Sequence, residues 1–423
     1  MQFGQFRFLR KPDGRGRWWA VGCLVTSIPS PLRMPMSPLL LLLSAWPSAA
    51  ALAEDPGVLF EGVVAILERS YYDRGFREDV LPGLAAELRP ERWAGVTAAR
   101  ERALVDEFLG RIPVSHLALY SEPAYEILAR EIEGRRTPTF GLQLVRRGDA
   151  WFADWIFEGG PADEAGLERG DVVLEIDGVA PGRSVRLDWS TDDAALPDPP
   201  IHGLLCEEGE ELELLVCRRN DPARRLRVVA APYSGIDAAR ASVRIYRCAG
   251  RRFGYLHLWF IPIAGGSALL SQLIEGPFAD CDGMLLDLRG RGGSASEARR
   301  LTELLDARDG RWRRPLVVLT DRGTRSAKEV ITFGLRSSGS ALVVGERTAG
   351  AVIPASFRRV AGAVLMFPAF TLGDMTRQLE GRGVEPDVRV ADPGHGRGSG
   401  DPIVRAGLGA LALWCEDARV PGT

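Results

Sequence analysis

Two largely apolar strand patterns, Met284-Leu-Leu-Asp-Leu288 and the run from Pro315 to Thr320, each end in a turn and then give way to helical spacing. Repeated strand, turn and helix units of this kind build an α/β spiral with parallel strand pairing, and they constrain the second half of the chain to that class. The first turn is Arg289-Gly-Arg-Gly-Gly293, in which Gly292 and Gly293 let the backbone approach a ligand closely. A helix is expected after it, over residues 296–305. The second turn is Asp321-Arg-Gly-Thr-Arg-Ser-Ala-Lys-Glu329. Beyond it Ala327, Val330, Ile331, Gly334 and Leu335 share one helical face, so Ser326 opens a helix.

A serine at that point has two readings. It is an N-cap that satisfies an orphan backbone donor, or it is a nucleophile whose oxyanion is stabilised by the free amides of the first helical turn. A distant pair bears on the choice. Ser115-His116 follows an amphipathic helical stretch around Leu104 and Leu109, in a chain with four histidines. A serine nucleophile needs a base that titrates near neutrality, and imidazole is the usual one. Of the other histidines, His202 lies in a Pro-rich loop, His395 in a Gly-rich loop, and His257 alternates with Tyr255 and Trp259 as a packed strand residue.

The composition is that of an ordinary globular protein of two or three domains, 46% hydrophobic and 26% charged over 423 residues. A net charge of -3, with no basic stripe, argues against a dedicated nucleic-acid binder. The apolar run starting at Pro38 and ending in Ala51-Leu52-Ala53 reads as a secretory signal, with cleavage after Ala53 and export to the periplasm or the extracellular space. Its length and prolines argue against a membrane span. No cysteine, histidine or acidic cluster has metal-ligand spacing, so no metal and no organic cofactor is expected.

The chain divides into a leader at 1–53, a helical segment at 54–136, a strand-rich module at 137–231, the α/β region at 232–415 and a tail at 416–423. Within the second module, Gly160-Pro-Ala-Asp-Glu-Ala-Gly-Leu167, Gly170-Asp-Val-Val-Leu174 and the Asp177-Gly178 turn stand in the order of a PDZ domain, which the segment resembles. That resemblance implies a β-barrel-like module binding a peptide C-terminus as an added strand. The loop at Phe140, Gly141 and Leu142 would hold the carboxylate, and Leu142 and Leu144 would line the side-chain pocket.

Four further motifs follow one another: Leu286-Asp-Leu-Arg-Gly-Arg-Gly-Gly293, Thr324-Arg-Ser-Ala-Lys-Glu329, Val344-Gly-Glu-Arg-Thr-Ala-Gly350 and Gly383-Val-Glu-Pro-Asp387. With the upstream PDZ module they resemble the tail-specific, or C-terminal processing, serine peptidases. The implied architecture is α+β and multidomain: an N-terminal helical segment, an inserted PDZ module and an α/β spiral core of the ClpP/crotonase type. The lysine that serves as base in the Ser-Lys branch is absent at Thr348-Ala-Gly-Ala351. Lys328, the only lysine beyond the leader, lies about 200° round the helix from Ser326, on the face of Thr332 and Arg336, pointing away. The chain is therefore more similar to the tricorn-core branch, which uses a Ser-His pair. By that resemblance Ser326 is the nucleophile, His116 the base, and Ser115 and Glu380 complete the tetrad, with Glu385 the alternative to Glu380. The oxyanion would rest on the amides of Ala327 and of Gly292 or Gly293.

The reading is an exported serine endopeptidase that takes protein or peptide substrates through their C-termini. Its rival is a binding protein that keeps the fold without the chemistry. Substrate preference and oligomeric state are not legible in the residues.

Overall fold

The computed structural model describes residues 55–190, 201–219, 221–394 and 400–417. The leader at 1–53, its cleavage point after Ala53, and His395 lie outside the described residues. No helix among the described residues is long and apolar enough to cross a membrane.

A six-stranded sheet runs in the order Arg244–Cys248, Arg251–His257, Gly283–Asp287, Leu316–Thr320, Leu342–Gly345 and Val388–Arg389. Its first pair is antiparallel and the rest are parallel. Alternation along the strands divides the core in two. Met284, Leu286, Leu316 and Val318 face the helices Gly266–Glu275, Ala295–Leu305 and Ala327–Ser337. Leu285, Val317, Leu319 and Val344 face Ile403, Leu408 and Leu411 of the C-terminal helix Pro402–Asp417. Each fully covered leucine or valine contributes about 1.5–3 kcal/mol, so a sheet sandwiched in this way needs apolar residues at every strand position.

The N-terminal helices Val58–Ser70, Leu81–Leu88 and Ala98–Gly110 do not close their core alone. Phe60, Val63, Leu67 and Phe108 pack on Ile353, Leu365 and Phe367 from the far end of the chain. The strand Ala118–Ser121 pairs antiparallel with Ala363–Pro368, which in turn pairs with Ala355–Val360. The helical segment read as residues 54–136 thus takes a hairpin from the α/β region as the cover for its apolar face. That union brings the Ser115 amide onto the carboxylate of Glu380.

The third unit is a seven-stranded sheet around Phe140, Leu144, Ile156, Leu167, Ile176, Leu212 and Val216. The strands that lead into and out of it, Thr137–Thr139 and Ala231–Tyr233, pair antiparallel, so the module hangs from two adjacent strands.

Candidate active site

Ser326 is the N-cap of the helix Ala327–Ser337 and forms a capping box with Glu329. Its backbone is not that of an ordinary cap. Cap residues take extended φ and ψ, whereas Ser326 sits at φ 57° and ψ -126°. His116 is also held in the left-handed region, at φ 58°. Strain of order 1–3 kcal/mol at a non-glycine residue persists only where surrounding contacts over-determine it.

Those contacts can be followed. The Ser326 amide donates to Ala351 O at 2.8 Å, and Gly350 and Ala351 donate to the Glu329 carboxylate at 2.8 Å each. Thr348 adds its hydroxyl to the same carboxylate. Burial raises the pKa of Glu329, and these donors work against that shift. The next residues, Val352 and Ile353, donate to one oxygen of Glu380 at 2.9 and 3.2 Å. The other Glu380 oxygen accepts the Ser115 amide at 3.0 Å. Ser115 Oγ lies 3.0 Å from His116 Nδ1. The four residues singled out from the sequence are therefore joined through the segment 351–353. Glu385, the alternative to Glu380, is half-exposed and engaged by Arg389 at 2.6 Å.

His116 is buried, and its pKa is lowered to about 4 by that burial and by the Arg325 charge, with Glu380 opposing. It is therefore neutral at pH 7 and can accept a proton. Opposite Ser326, a Cβ on Gly292 would stand 2.6 Å from Ser326 Cβ and 2.8 Å from Arg325 O. Only glycine allows that approach. Gly292 O accepts the Ile261 amide at 3.1 Å, and Ile261 O accepts the Ser294 amide at 2.7 Å. Gly293, at φ 149°, lies between them, where a Cβ would meet Ile261 backbone. The amides of Gly292, Gly293 and Ala327 have no acceptor among the described residues.

Lys328, expected to point away from Ser326, is fully buried, with Nζ donating to Trp259 O at 3.0 Å and Arg289 O at 2.8 Å. Two expectations for the PDZ module are corrected. The side chain of Leu144, expected to line the side-chain pocket, belongs to the core of the seven-stranded module, as does that of Phe140, in the loop expected to hold the carboxylate. Finally, the edge of the strand Leu142–Arg147 is partly filled. The chain's own strand Ile201–Leu204 pairs with it, His202 against Leu144 and Ile201 against Val145. What stays open is a small pocket touching Gly141, Leu142, Gln143, Gly203 and Leu204, with Gln143 Oε1 buried and unpaired. The Gly141 amide, expected to meet a carboxylate, donates to Thr139 Oγ1 at 2.9 Å.

His257 is buried, with Nδ1 3.0 Å from Glu158 and its ring against Trp259. His202 packs edge-on to Trp151. Sequence reasoning missed the roles of Glu329 and Lys328. Ser-x-x-Glu spacing signals the capping box, but nothing in the local pattern distinguishes a buried lysine from an exposed one. A cleft of about 380 Å³ adjoins Arg325, lined by Arg147, Trp155, Arg169, Gly290 and Arg291 together with Asp154, Asp321, Glu346 and Asp392. Among the described residues no group of three or more His, Cys, Asp or Glu is arranged to hold a metal ion.

Residues 252–390 match peptidase family S41, and residues 154–193 match the PDZ domain. The chain is 28% identical over 216 residues to a chloroplastic C-terminal processing peptidase of Tetradesmus obliquus, covering 45% of this chain and 46% of that one. It is 28% identical over 334 residues to a putative tricorn protease homolog 2 of Streptomyces coelicolor, covering 68% of this chain and 26% of the other. The chain thus spans less than half the length of these two curated relatives. Among solved structures, the fold is like that of a photosystem II D1 C-terminal processing protease, with a TM-score of 0.51 at 20% identity over 79% of this chain and 92% of that one. A putative S41 protease from Bacteroides fragilis gives a TM-score of 0.50 at 15% identity, over 84% and 97% of the two chains.

Proposed function

From a chain whose core, residues 252–390, belongs to peptidase family S41 and whose inserted module belongs to the PDZ family, we propose a serine endopeptidase that works through a Ser-His acyl-enzyme. The observation that carries this reading is the strained Ser326, packed against Gly292 and linked through Ala351, Val352, Glu380 and Ser115 to His116, itself at positive φ.

In this mechanism Ser326 Oγ attacks the scissile carbonyl carbon as its proton passes to His116 Nε2. Ser115 Oγ lies 3.0 Å from Nδ1, and the mechanism requires the tautomer in which Nδ1–H donates to Ser115 and Nε2 takes the Ser326 proton. Charge that develops on the carbonyl oxygen is met by the amides of Gly292 or Gly293 and of Ala327. Collapse breaks the C–N bond, and the imidazolium returns its proton to the leaving amine. Water then repeats the sequence on the ester and frees Ser326. Glu380 acts on the base through its hold on Ser115 and through its charge, which favours the imidazolium formed in the transition state.

Protein or peptide substrates would reach Ser326 through the cleft that adjoins Arg325. A substrate C-terminus would find the PDZ pocket at Gly141, Leu142 and Gln143 rather than the whole strand edge. Export follows from the leader read at 1–53.

Labelling of the folded protein with a fluorophosphonate tests the reading. Labelling of the wild type that disappears in Ser326→Ala and in His116→Ala supports it. A folded wild type that stays unlabelled, beside a serine peptidase labelled in parallel, overturns it in favour of a binding protein on this scaffold.

A further inference from the structure

We propose that Lys328 is a positioning residue for the oxyanion amides: its buried ammonium grips the carbonyls of Trp259 and Arg289 and so fixes Gly292 and Gly293 against Ser326. This rests on the Ser326 reading above and assigns a part to a residue that reading leaves unused.

Placement is the first support. Lys328 is the second residue of the helix that Ser326 caps, so its stem moves with the nucleophile. One of its acceptors, Arg289 O, lies three residues before Gly292 in the glycine turn. The other, Trp259 O, lies two residues before Ile261, whose amide and carbonyl hold Gly292 O and the Ser294 amide. Both strands of the short bridge that presents Gly292 and Gly293 are thereby tied to the helix of Ser326 by one side chain. Close approach leaves no slack there, since a Cβ on Gly292 would be 2.6 Å from Ser326 Cβ.

Chemistry is the second support. A buried ammonium is costly, and an apolar side chain of the same length would pack with less penalty. The chain carries 53 Lys and Arg in all, and only Lys11 and Lys328 are lysines. A lysine kept at a site of zero exposure, in a chain that otherwise uses arginine, calls for what arginine cannot supply: a compact charge whose donors diverge onto two carbonyls. Among the described residues no carboxylate pairs with Nζ. Asp287 is bound by Arg289, and Asp321 accepts from Gly290 and Thr324. The charged groups acting on Lys328 are Asp321 and Asp287, which favour the ammonium, and Arg289, which opposes it. Burial outweighs them and lowers the pKa of Lys328 to about 7. The ammonium thus lends its charge to the backbone of the turn, where negative charge develops in the transition state.

The test compares wild type, Lys328→Met and Lys328→Gln in the full chain, with folding checked by near-UV circular dichroism. An uncharged fluorophosphonate reads the acylation rate from pH 5 to 10, and a cleaved peptide separates kcat from KM. Lys328→Met is expected to lower the acylation rate and kcat by roughly 10²-fold with KM unchanged. It should also abolish the decline in wild-type rate as pH rises through about 7, and the glutamine, which keeps a donor, should recover part of the rate. Wild-type rates and an unchanged pH profile in folded Lys328→Met overturn the proposal while leaving Ser326 as nucleophile. If Lys328→Met does not fold, Lys328→Gln decides by the same comparison. If the wild type itself is unlabelled, the Ser-His reading fails separately. Amide hydrogen exchange at Gly292 and Gly293 then judges Lys328: faster exchange in a folded variant supports the positioning role and unchanged exchange overturns it.

Discussion

The Glu380 carboxylate accepts the Ser115 amide at 3.0 Å, across 265 residues of sequence, while its second oxygen takes the amides of Val352 and Ile353. One side chain therefore joins the segment that carries His116 to the loop that holds Ser326. The connection is direct on the histidine side. On the serine side it runs through Ala351, whose carbonyl accepts the Ser326 amide.

Replacing Glu380 by glutamine turns one acceptor oxygen into a donor facing backbone amides and removes the charge that favours protonated His116. Steady-state peptide hydrolysis should show kcat/KM lower by about 10- to 100-fold. Glu385→Gln should change it little, because that carboxylate sits at the surface beside Arg389. Equal losses in the two variants would contradict the assignment of Glu380.

The pH dependence of acylation follows from His116. Its pKa is lowered to about 4, so the base is already neutral at pH 5 and the acid limb of the labelling rate should rise near pH 4, below the ordinary imidazole value. Arg325→Gln removes a charge that depresses it and should shift that limb upward. The same shift acts on folding. Between about pH 4 and the unfolded value of 6.5 the unfolded chain binds the extra proton, so stability from this group is present above 6.5 and is lost as pH falls toward 4. Denaturant titrations of wild type and His116→Gln at pH 7 and pH 5 check the sign: the wild type should lose more stability than the variant.

Gly292→Ala would set a methyl 2.6 Å from Ser326 Cβ and 2.8 Å from Arg325 O. Fluorophosphonate labelling should fall by 10²-fold or more, on the order expected for loss of an oxyanion donor. The accompanying destabilisation should be about 1–3 kcal/mol, the range for overpacking, measured by urea unfolding. Labelling at the wild-type rate would exclude Gly292 from the oxyanion site.

The pairing of Ile201–Leu204 with Leu142–Arg147 limits how a tail can join the PDZ sheet. C-terminal peptides should therefore bind the full chain weakly, through the pocket at Gly141, Leu142 and Gln143. His202→Pro removes a strand amide opposite Leu144 and should open the edge. Fluorescence anisotropy with labelled C-terminal peptides should then report tighter binding than in wild type, and equal affinity would mean that the inner strand does not compete.

Much of this architecture is legible in the residues because it is local. Strand, turn and helix spacing around Arg289 and Asp321 placed Ser326 at the head of its helix, and the Gly-Asp and Asp-Gly turns marked the PDZ module. Apolar periodicity reports which face of an element is buried. It does not report what covers that face. For that reason the pairing of Ala363–Pro368 with Ala118–Ser121, the filling of the PDZ edge by Ile201–Leu204, and the inward turn of Lys328 onto Trp259 and Arg289 emerge only in three dimensions. Residue types and their spacing along one element were determined by the sequence itself. Tertiary structure alone decided which distant backbone groups meet Lys328 and Glu380, because a buried charge or carboxylate takes its partners from whatever the packed core brings within about 3 Å of it.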